Sequence, residues 1–419
     1  MSADLDLTAL RARFLRVRAR TEALAAPLSP EDQQLQSQPS SSPTKWHRAH
    51  TTWFFETFAL APRGIAPVDA SWSYLFNSYY EAVGPRHARP QRGLLSRPSC
   101  TEIAAYRRAV DARVLDVIDR GADPALAEVL ALGLAHEEQH QELLLTDALH
   151  ALAQHPFAPR YREAAPAFGA APASALTFTP FDGGLVTIGR DAGGGFAFDN
   201  EGPAHRVWLE PFALADRLVT VEEARAFAAD GGYRTPSLWL AEGWDRVRAQ
   251  GRTAPAYVDD RDGAWRVFGL DGARAPEPAE PVAFVDYYEA DAIARWLGAR
   301  LPSEAEWEVA ARACPIAGNT LADDPAACAL RPRPSPGGAL AQLFGDAWEW
   351  TQSSYAPYPG YVAAAGVLGE YNGKFMVNQV VLRGGSCFTP AEHLRATYRN
   401  FWPADTSFQV TGVRLARSP

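Results

Sequence analysis

The sequence lacks the features that mark membrane proteins, secreted proteins and nucleic-acid-binding proteins. Its 419 residues contain no apolar run approaching the roughly 20 residues that a helix needs to cross a bilayer. The first residues lack the basic and then apolar pattern of a secretory signal. The formal net charge is −9, and no cluster of Lys and Arg forms a basic face. We therefore expect a cytoplasmic protein whose partners are small molecules, with no nucleic acid and no membrane among them.

Cysteine is also scarce. The chain has four, Cys100, Cys314, Cys328 and Cys387, and they show neither CxxC spacing nor the dense arrangement of a disulfide-stabilised protein. We expect reduced thiols and no zinc ribbon. A chain of this length exceeds one ordinary hydrophobic core, so two or three domains are expected.

The N-terminal part of the sequence predicts helices. Helices, each with one apolar face, are predicted at 5–26, which is rich in Leu, Ala and Arg, at the apolar and aromatic stretch 46–60, and at 101–119 and 124–153. Ser, Pro and Glu at residues 29–31 predict a further helix start. Four helices of these lengths predict a four-helix bundle over residues 1–155.

The rest of the chain has a different composition. Residues 156–175 are rich in Ala and Pro with little periodicity, which is typical of a linker. In residues 176–419, short β-type runs such as 184–189 and 205–209 alternate with Gly, Pro and Asp, and helices are predicted at 221–230 and 288–297. This pattern predicts an α+β domain with many loops.

The most informative pattern is the segment 136–140 (HEEQH) in the last predicted helix of the bundle. Residues four apart share one face of a helix, so His136 and His140 can bind one metal ion while His50 reaches it from a facing helix. Helical bundles commonly build metal sites in this way. The spacing therefore predicts a three-histidine metal site.

The residues alone leave three interpretations of this segment open. The histidines can be ordinary core or solvated residues. Alternatively, the segment reads as HExxH with Glu137 as the general base of a zinc metalloprotease, although Leu143 stands where the extended motif requires Gly. In the third interpretation, three neutral ligands hold iron and leave positions open for substrate and oxygen.

Motifs along the whole chain carry a specific resemblance. Six of them, in order, resemble the formylglycine-generating-enzyme fold, a C-type-lectin-like domain: 184–189 (GLVTIG), 201–207 (EGPAHRV), 299–307 (ARLPSEAEW), 345–350 (GDAWEW), 382–386 (LRGGS) and 412–415 (GVRL). The first part resembles a DinB-like four-helix bundle. The joined pair resembles the sulfoxide synthases of ergothioneine biosynthesis, with further likeness at 42–56 (SPTKWHRAHTTWFFE), 74–80 (YLFNSYY) and 369–376 (GEYNGKFM).

This resemblance implies a fold and a reaction. The fold class is α plus α+β, with a DinB-like bundle followed by a formylglycine-generating-enzyme-like domain that contributes substrate-binding loops. The reaction is the joining of a sulfur compound to the imidazole of hercynine (N-trimethylhistidine) by a non-haem Fe(2+) enzyme that consumes O2. The resemblance assigns the iron ligands to His50, His136 and His140, whereas His47 matches the ligand motif less well.

The resemblance also implies which residues serve the substrates. It assigns proton delivery near the metal to Tyr79 and Tyr80, because a neutral phenol can donate a proton or a hydrogen bond. For hercynine, the resemblance points to Gln139 beside the imidazole. A quaternary ammonium needs aromatic faces and a carboxylate needs donors, which favours Asn400 and Trp402 in the segment 398–402. An arginine among Arg86, Arg89 and Arg92 is expected to bind an anionic part of the donor.

Two departures from the family pattern bear on the activity. Cys387 has no suitably placed second cysteine, so formylglycine-generating activity is not expected. Residues 281–286 and 404–410 differ from the ergothioneine enzymes, which leaves the donor open between cysteine or γ-glutamylcysteine and the selenosugar of the selenoneine branch. A hypothesis of another class is a zinc-dependent thiol transferase or a binding module, which metal content and oxygen consumption would distinguish.

Overall fold

A computed structural model describes residues 6–163, 168, 174–191, 195–261, 263–363, 369 and 372–419. The chain divides into two compact units. Within the described residues, the first comprises 6–162 with Ala322–Ala327, and the second comprises most of the remainder. Parts of the predicted linker (164–167 and 169–173) and residues 370–371 of the motif 369–376 lie outside the described residues. No helix in the described ranges is long and apolar enough to cross a membrane.

The first unit is helical. Its α-helices are α1 (Leu7–Ala25), α2 (Thr44–Phe55), α3 (Trp72–Phe76), α4 (Cys100–Asp119) and α5 (Pro124–Ala153). A π-helical turn, Glu56–Leu60, continues α2, and short 3-10 turns connect the longer helices. The four long helices bury one common apolar core, built from residues such as Phe14, Val110 and Leu130.

Local sequence explains where these helices begin. Ser99 and Glu102 form a reciprocal capping box at the start of α4. Asp123 accepts a hydrogen bond from the Leu126 N–H at the start of α5, where Pro124 occupies the first helical position. The observed bounds agree with the predicted helices at 101–119 and 124–153 to within one residue.

Two local predictions in this unit need correction. The helix start predicted at 29–31 yields only the 3-10 turn Asp32–Gln34, because the polar residues that follow offer no apolar face to bury. The helix predicted over 46–60 is α-helical only to Phe55. The chain continues through the 3-10 turn Ala61–Arg63, which contains Pro62, and the helical pattern ends at Gly64 in the left-handed conformation.

The second unit mixes short strands and helices. Its helices are α6 (Val221–Ala229), α7 (Ala241–Gln250), α8 (Tyr287–Trp296) and α9 (Glu304–Arg312). Its strands are β1 (Phe178–Phe181), β2 (Gly184–Ile188), β3 (His205–Leu209), β4 (Phe212–Ala215), β5 (Val258–Asp259), β6 (Arg266–Gly269), β7 (Gly272–Arg274), β8 (Trp348–Ser354), β9 (Val380–Arg383), β10 (Asn400–Trp402), β11 (Thr411–Gly412) and β12 (Ala416–Arg417).

The strands form four small sheets rather than one large sheet. Their orders are β1-β4-β12, β10-β9-β8-β11, β2-β3 and β5-β6-β7, and pairing is antiparallel except between β8 and β11. Helices α7 and α9 were not predicted. Helix α9 begins with a capping box formed by Ser303 and Glu306, whereas α7 has no side-chain cap and buries little beyond Gly243 and Val247.

The motifs that carry the resemblance meet in the core of the second unit. Glu349 of GDAWEW accepts hydrogen bonds from Arg414 of GVRL (Nε–Oε2, 2.7 Å) and from the Trp307 indole of ARLPSEAEW (2.6 Å). Arg383 of LRGGS pairs with Glu308 of α9 at 2.9 Å. All five side chains are buried. These motif residues therefore form a buried network of paired charges, which is a structural role.

Candidate metal centre

Two helices of the first unit bring the three histidines together. His50 comes from α2, and His136 and His140 come from successive turns of α5. Each offers a nitrogen, and these nitrogens all lie within 4.8 Å of one another. Among the described residues, this is the one group of three or more His, Cys, Asp or Glu side chains that could hold a metal ion. The Nε2 atoms of His50 and His136 are 3.1 Å apart. Two nitrogens bound to one ion at about 2.1 Å with a right angle between the bonds would lie about 3 Å apart, so the spacing fits a shared metal ion.

Burial keeps these imidazoles neutral. Burial lowers the pKa of His136 to about 3. It also lowers the pKa values of His50 and His140 well below their ordinary value, and neighbouring histidines lower both further. Neutral imidazoles have a lone pair to give to a metal ion. The group therefore offers a divalent ion three neutral nitrogen ligands and no carboxylate.

Aromatic rings hold the histidine rings in place. The His50 ring is stacked between Trp46 (centroids 4.5 Å apart) and Trp53 (5.6 Å apart). The Phe54 ring lies 4.8 Å from His136. His50 Nδ1 also bonds to the carbonyl of Phe76 at 2.6 Å, so this nitrogen carries the proton and Nε2 has the lone pair. Packing and this hydrogen bond thus aim His50 Nε2 at the proposed ion.

The tyrosine pair borders the same aromatic cluster. Tyr80 is fully buried, and its ring lies 5.2 Å from Phe58, 5.9 Å from Trp53 and 6.4 Å from Phe54. Tyr79 is half-buried, and its ring is 4.7 Å from that of Tyr80. Phe54 therefore packs against both Tyr80 and His136. The roles of the two tyrosines stay predictions.

Glu137 does not face the histidines, which argues against the metalloprotease interpretation. Its carboxylate accepts hydrogen bonds from Thr21 (2.6 Å), Arg18 (2.8 Å) and Arg107 (2.9 Å). Burial by itself would raise the pKa of Glu137, but the two arginines lower it to about 2. Consecutive residues on a helix point about 100° apart, which directs Glu137 toward α1 and α4 instead. A carboxylate held in these ion pairs is not placed to act as a base at the histidine cluster.

The arginines from the loop after the tyrosines differ in their surroundings. Arg86 forms an ion pair with Glu81 at the surface, and Arg89 is exposed. Arg92 is buried, donates to Ser42 (2.9 Å) and lies over the Trp46 ring, 3.4 Å from its centroid. Because Trp46 in turn stacks on His50, Arg92 is connected to the histidines through the Trp46 ring. The sequence held no signal that set Arg92 apart from the other two.

The remaining predicted substrate contacts are distributed over both units. Gln139 is half-buried on α5. In the second unit, Asn400 and Trp402 are half-buried on β10, and the Trp402 ring lies 5.4 Å from that of Phe408. Cys387 is buried, and no disulfide links the four cysteines.

Comparisons with known proteins cover both units. Residues 13–156 match the DinB superfamily, and residues 169–326 and 325–419 match the Sulfatase-modifying factor enzyme 1-like domain. These matches confirm the predicted fold class.

Two of the relatives match most of the chain, and a third matches about a third of it. The hercynine oxygenase of Mycolicibacterium thermoresistibile is 35% identical over 92% of this chain and 90% of its own length. That of Mycolicibacterium smegmatis is 33% identical over 91% and 92%. The formylglycine-generating enzyme of Streptomyces coelicolor is 35% identical over 36% of this chain and 51% of its own length.

Proposed function

Because this chain belongs to the hercynine oxygenase family, we propose that it uses iron(II) and O2 to join a sulfur donor to the imidazole of hercynine. The chain is accordingly an oxidoreductase. The observation that carries the proposal is the convergence of three imidazoles, two buried and one half-buried, whose nitrogens lie within 4.8 Å of one another. The preferred donor is cysteine or γ-glutamylcysteine, and the product is a sulfoxide.

His50, His136 and His140 would hold the iron(II). A bound iron(II) with three neutral protein ligands would offer positions for the donor thiolate and for O2 and would pass electrons between them. The absence of a carboxylate from this group supports the proposal, because the ion then keeps its full positive charge and favours an anionic sulfur ligand.

Tyr79 and Tyr80 would supply the proton that oxygen chemistry requires. A phenol donates from its hydroxyl oxygen, and burial favours its neutral, proton-carrying form. The rings of Trp53, Phe54 and Phe58 enclose Tyr80 and exclude water from its surroundings. This environment supports a proton donor that acts on the reacting oxygen rather than exchanging with solvent.

The substrate contacts are proposed by chemistry. The Gln139 amide would hydrogen-bond the hercynine imidazole, and Asn400 and Trp402 would bind its carboxylate and trimethylammonium groups. Arg86 and Arg89 would bind carboxylates of the sulfur donor. A selenosugar carries no carboxylate, so loss of donor affinity on replacing these arginines would favour the amino-acid donors.

An aerobic competition assay tests the proposal. The protein would be supplied with iron(II), hercynine and equal amounts of cysteine, γ-glutamylcysteine and a selenosugar, with products read by mass spectrometry and oxygen uptake by electrode. A hercynine–sulfur adduct with oxygen uptake is the expected result. A selenium adduct would instead assign the selenoneine branch, and tightly bound zinc without oxygen uptake would favour a thiol transferase.

Matched variants tie the reaction to the proposed residues. His136→Ala should abolish iron binding and turnover, whereas His155→Ala, an exposed histidine beyond α5, should change neither. Full activity in His136→Ala would refute the ligand assignment.

Tyr80→Phe should retain iron but slow adduct formation or divert it to oxidation of the thiol. The control is Tyr74→Phe, which alters a largely exposed tyrosine of the same segment. Equal slowing by both substitutions would argue against a specific role for the Tyr80 hydroxyl.

A further inference from the structure

His47 lies one turn before His50 on α2, but its ring is engaged with His140 and with a carboxylate. Its Nδ1 is 2.8 Å from Nδ1 of His140, and its Nε2 is 3.0 Å from Oδ2 of Asp147. Asp147 lies two turns after His140 on α5 and therefore on the same face. The same Oδ2 accepts the backbone N–H of Ser42 at 2.8 Å. His47 and Asp147 are both buried.

For a neutral His47 beside an ionised carboxylate, the hydrogen bonds in this row allow one arrangement of protons. An ionised carboxylate only accepts, so Nε2 of His47 must carry the proton that it shares with Asp147. Nδ1 of a neutral His47 is then a bare acceptor. The contact between the two Nδ1 atoms therefore requires the proton to be on His140. This arrangement leaves Nε2 of His140 with its lone pair free for a metal ion.

We propose that Asp147 and His47 are positioning residues, which fix the tautomer and ring orientation of His140 for metal binding. The inference rests on the proposed function only in requiring that the three histidines bind a divalent ion. Carboxylate partners of metal-binding histidines act in this way in many sites. Here a second imidazole stands between the carboxylate and the ligand.

His50 and His140 are oriented by different hydrogen bonds. His50 bonds to the backbone carbonyl of Phe76, which no substitution removes. His140 bonds to the side chain of His47, which in turn depends on Asp147. The hydrogen bond that orients His140 can therefore be removed by substitutions that leave all three ligands in place.

Metal affinity is the direct test. Competition titration against a chelator, with cobalt(II) as the probe, should give dissociation constants 10–100-fold weaker for His47→Ala and Asp147→Ala than for the unaltered chain. The double variant should be no weaker than the weaker single variant, because both residues act through the same hydrogen bond to His140.

Asp147→Asn is the conservative variant. Its amide oxygen can accept both hydrogen bonds that Oδ2 of Asp147 accepts. The cobalt(II) affinity of this variant should therefore fall by no more than about tenfold and keep most of the affinity that Asp147→Ala loses. The visible absorption bands of bound cobalt(II), which report ligand geometry, should change in the Ala variants and return toward the original in Asp147→Asn.

A control separates positioning from general destabilisation. Glu137→Gln alters a buried carboxylate of the same helix that faces away from the histidines, so it should lower stability without changing cobalt affinity. Unfolding of the metal-free variants is measured in parallel. If the Ala variants do not fold, His47→Gln replaces them, because its amide oxygen can still accept from His140 and a smaller loss is expected.

The outcomes are distinguishable. Cobalt affinity within twofold of the original in folded His47→Ala and Asp147→Ala would overturn the inference while leaving the proposed function intact. Additive losses in the double variant would also overturn it. If the unaltered chain binds no divalent ion, the proposed function fails as well.

Discussion

Replacing Glu137 by Gln should lower the free energy of unfolding of the first unit by about 3 kcal/mol without weakening metal binding. Glu137 is next to a proposed metal ligand in sequence, yet it is fully buried against Arg18 and Arg107. Each arginine is also almost completely buried, with side-chain exposures of 3% and 2%. The substitution would leave two buried cations without this carboxylate.

The magnitude follows from two independent considerations. Removing one partner of a buried ion pair costs about 3–5 kcal/mol. The pKa of the Glu137 carboxyl is lowered from 4.5 to about 2, and at about 1.4 kcal/mol per unit this difference corresponds to roughly 3 kcal/mol. We expect about 3 kcal/mol, the lower end of these figures, because the Gln amide can still accept one of the hydrogen bonds.

Urea unfolding followed by far-ultraviolet circular dichroism measures this loss. The long helices of the first unit contribute most of the helical signal, since the helices of the second unit have only 9 or 10 residues. Glu128→Gln is the matched control, because Glu128 is an exposed glutamate of the same helix, and it should change stability by less than about 0.5 kcal/mol. Unchanged stability with a tenfold loss of metal affinity in Glu137→Gln would refute the reasoning. That result would mean that Glu137 takes part in the metal site.

Three further predictions concern packing, metal and pH. Gly133→Ala should lower the free energy of unfolding by about 1–3 kcal/mol, because the added Cβ would lie 2.6 Å from the Phe55 ring and 2.9 Å from the Phe54 ring. An unchanged midpoint of thermal unfolding would contradict this. Chelating a divalent ion present at 100 times its Kd should remove about 2.7 kcal/mol of stability, and an unchanged melting curve would mean that the ion does not bind the folded state preferentially. Burial raises the pKa of Glu201, but hydrogen bonds from Arg395 and its neighbours lower it overall below 4.5. The stabilisation is therefore present above pH 4.5 and is lost as the pH falls below it, and Glu201→Gln should flatten this acid dependence in urea unfolding.

The sequence predicted the helices of the bundle well because their signals are local. Residues 101–119 and 124–153 carry their own caps and long runs of good helix formers, so their bounds follow from the chain itself. Helix α9 was missed although Ser303 and Glu306 form a capping box at its start, because nine residues are too few to show a sustained apolar period.

The approach of His50, His136 and His140 was also predictable, because helical spacing and facing helices decide it. What the sequence did not distinguish was the direction in which neighbouring side chains point. Glu137 fits a metalloprotease motif by spacing, but its carboxylate bonds to Arg18 and Arg107 instead.

The sequence by itself determined a helical part followed by an α+β part, the family and the residues able to bind a metal, because these depend on residue type and short-range periodicity. Only the tertiary structure decided the partners of those residues. The row from Asp147 through His47 to His140 joins positions 100 and 93 residues apart in the chain. Such contacts arise when two helices pack, because packing sets which rings lie within hydrogen-bonding distance and which nitrogen of each ring remains free.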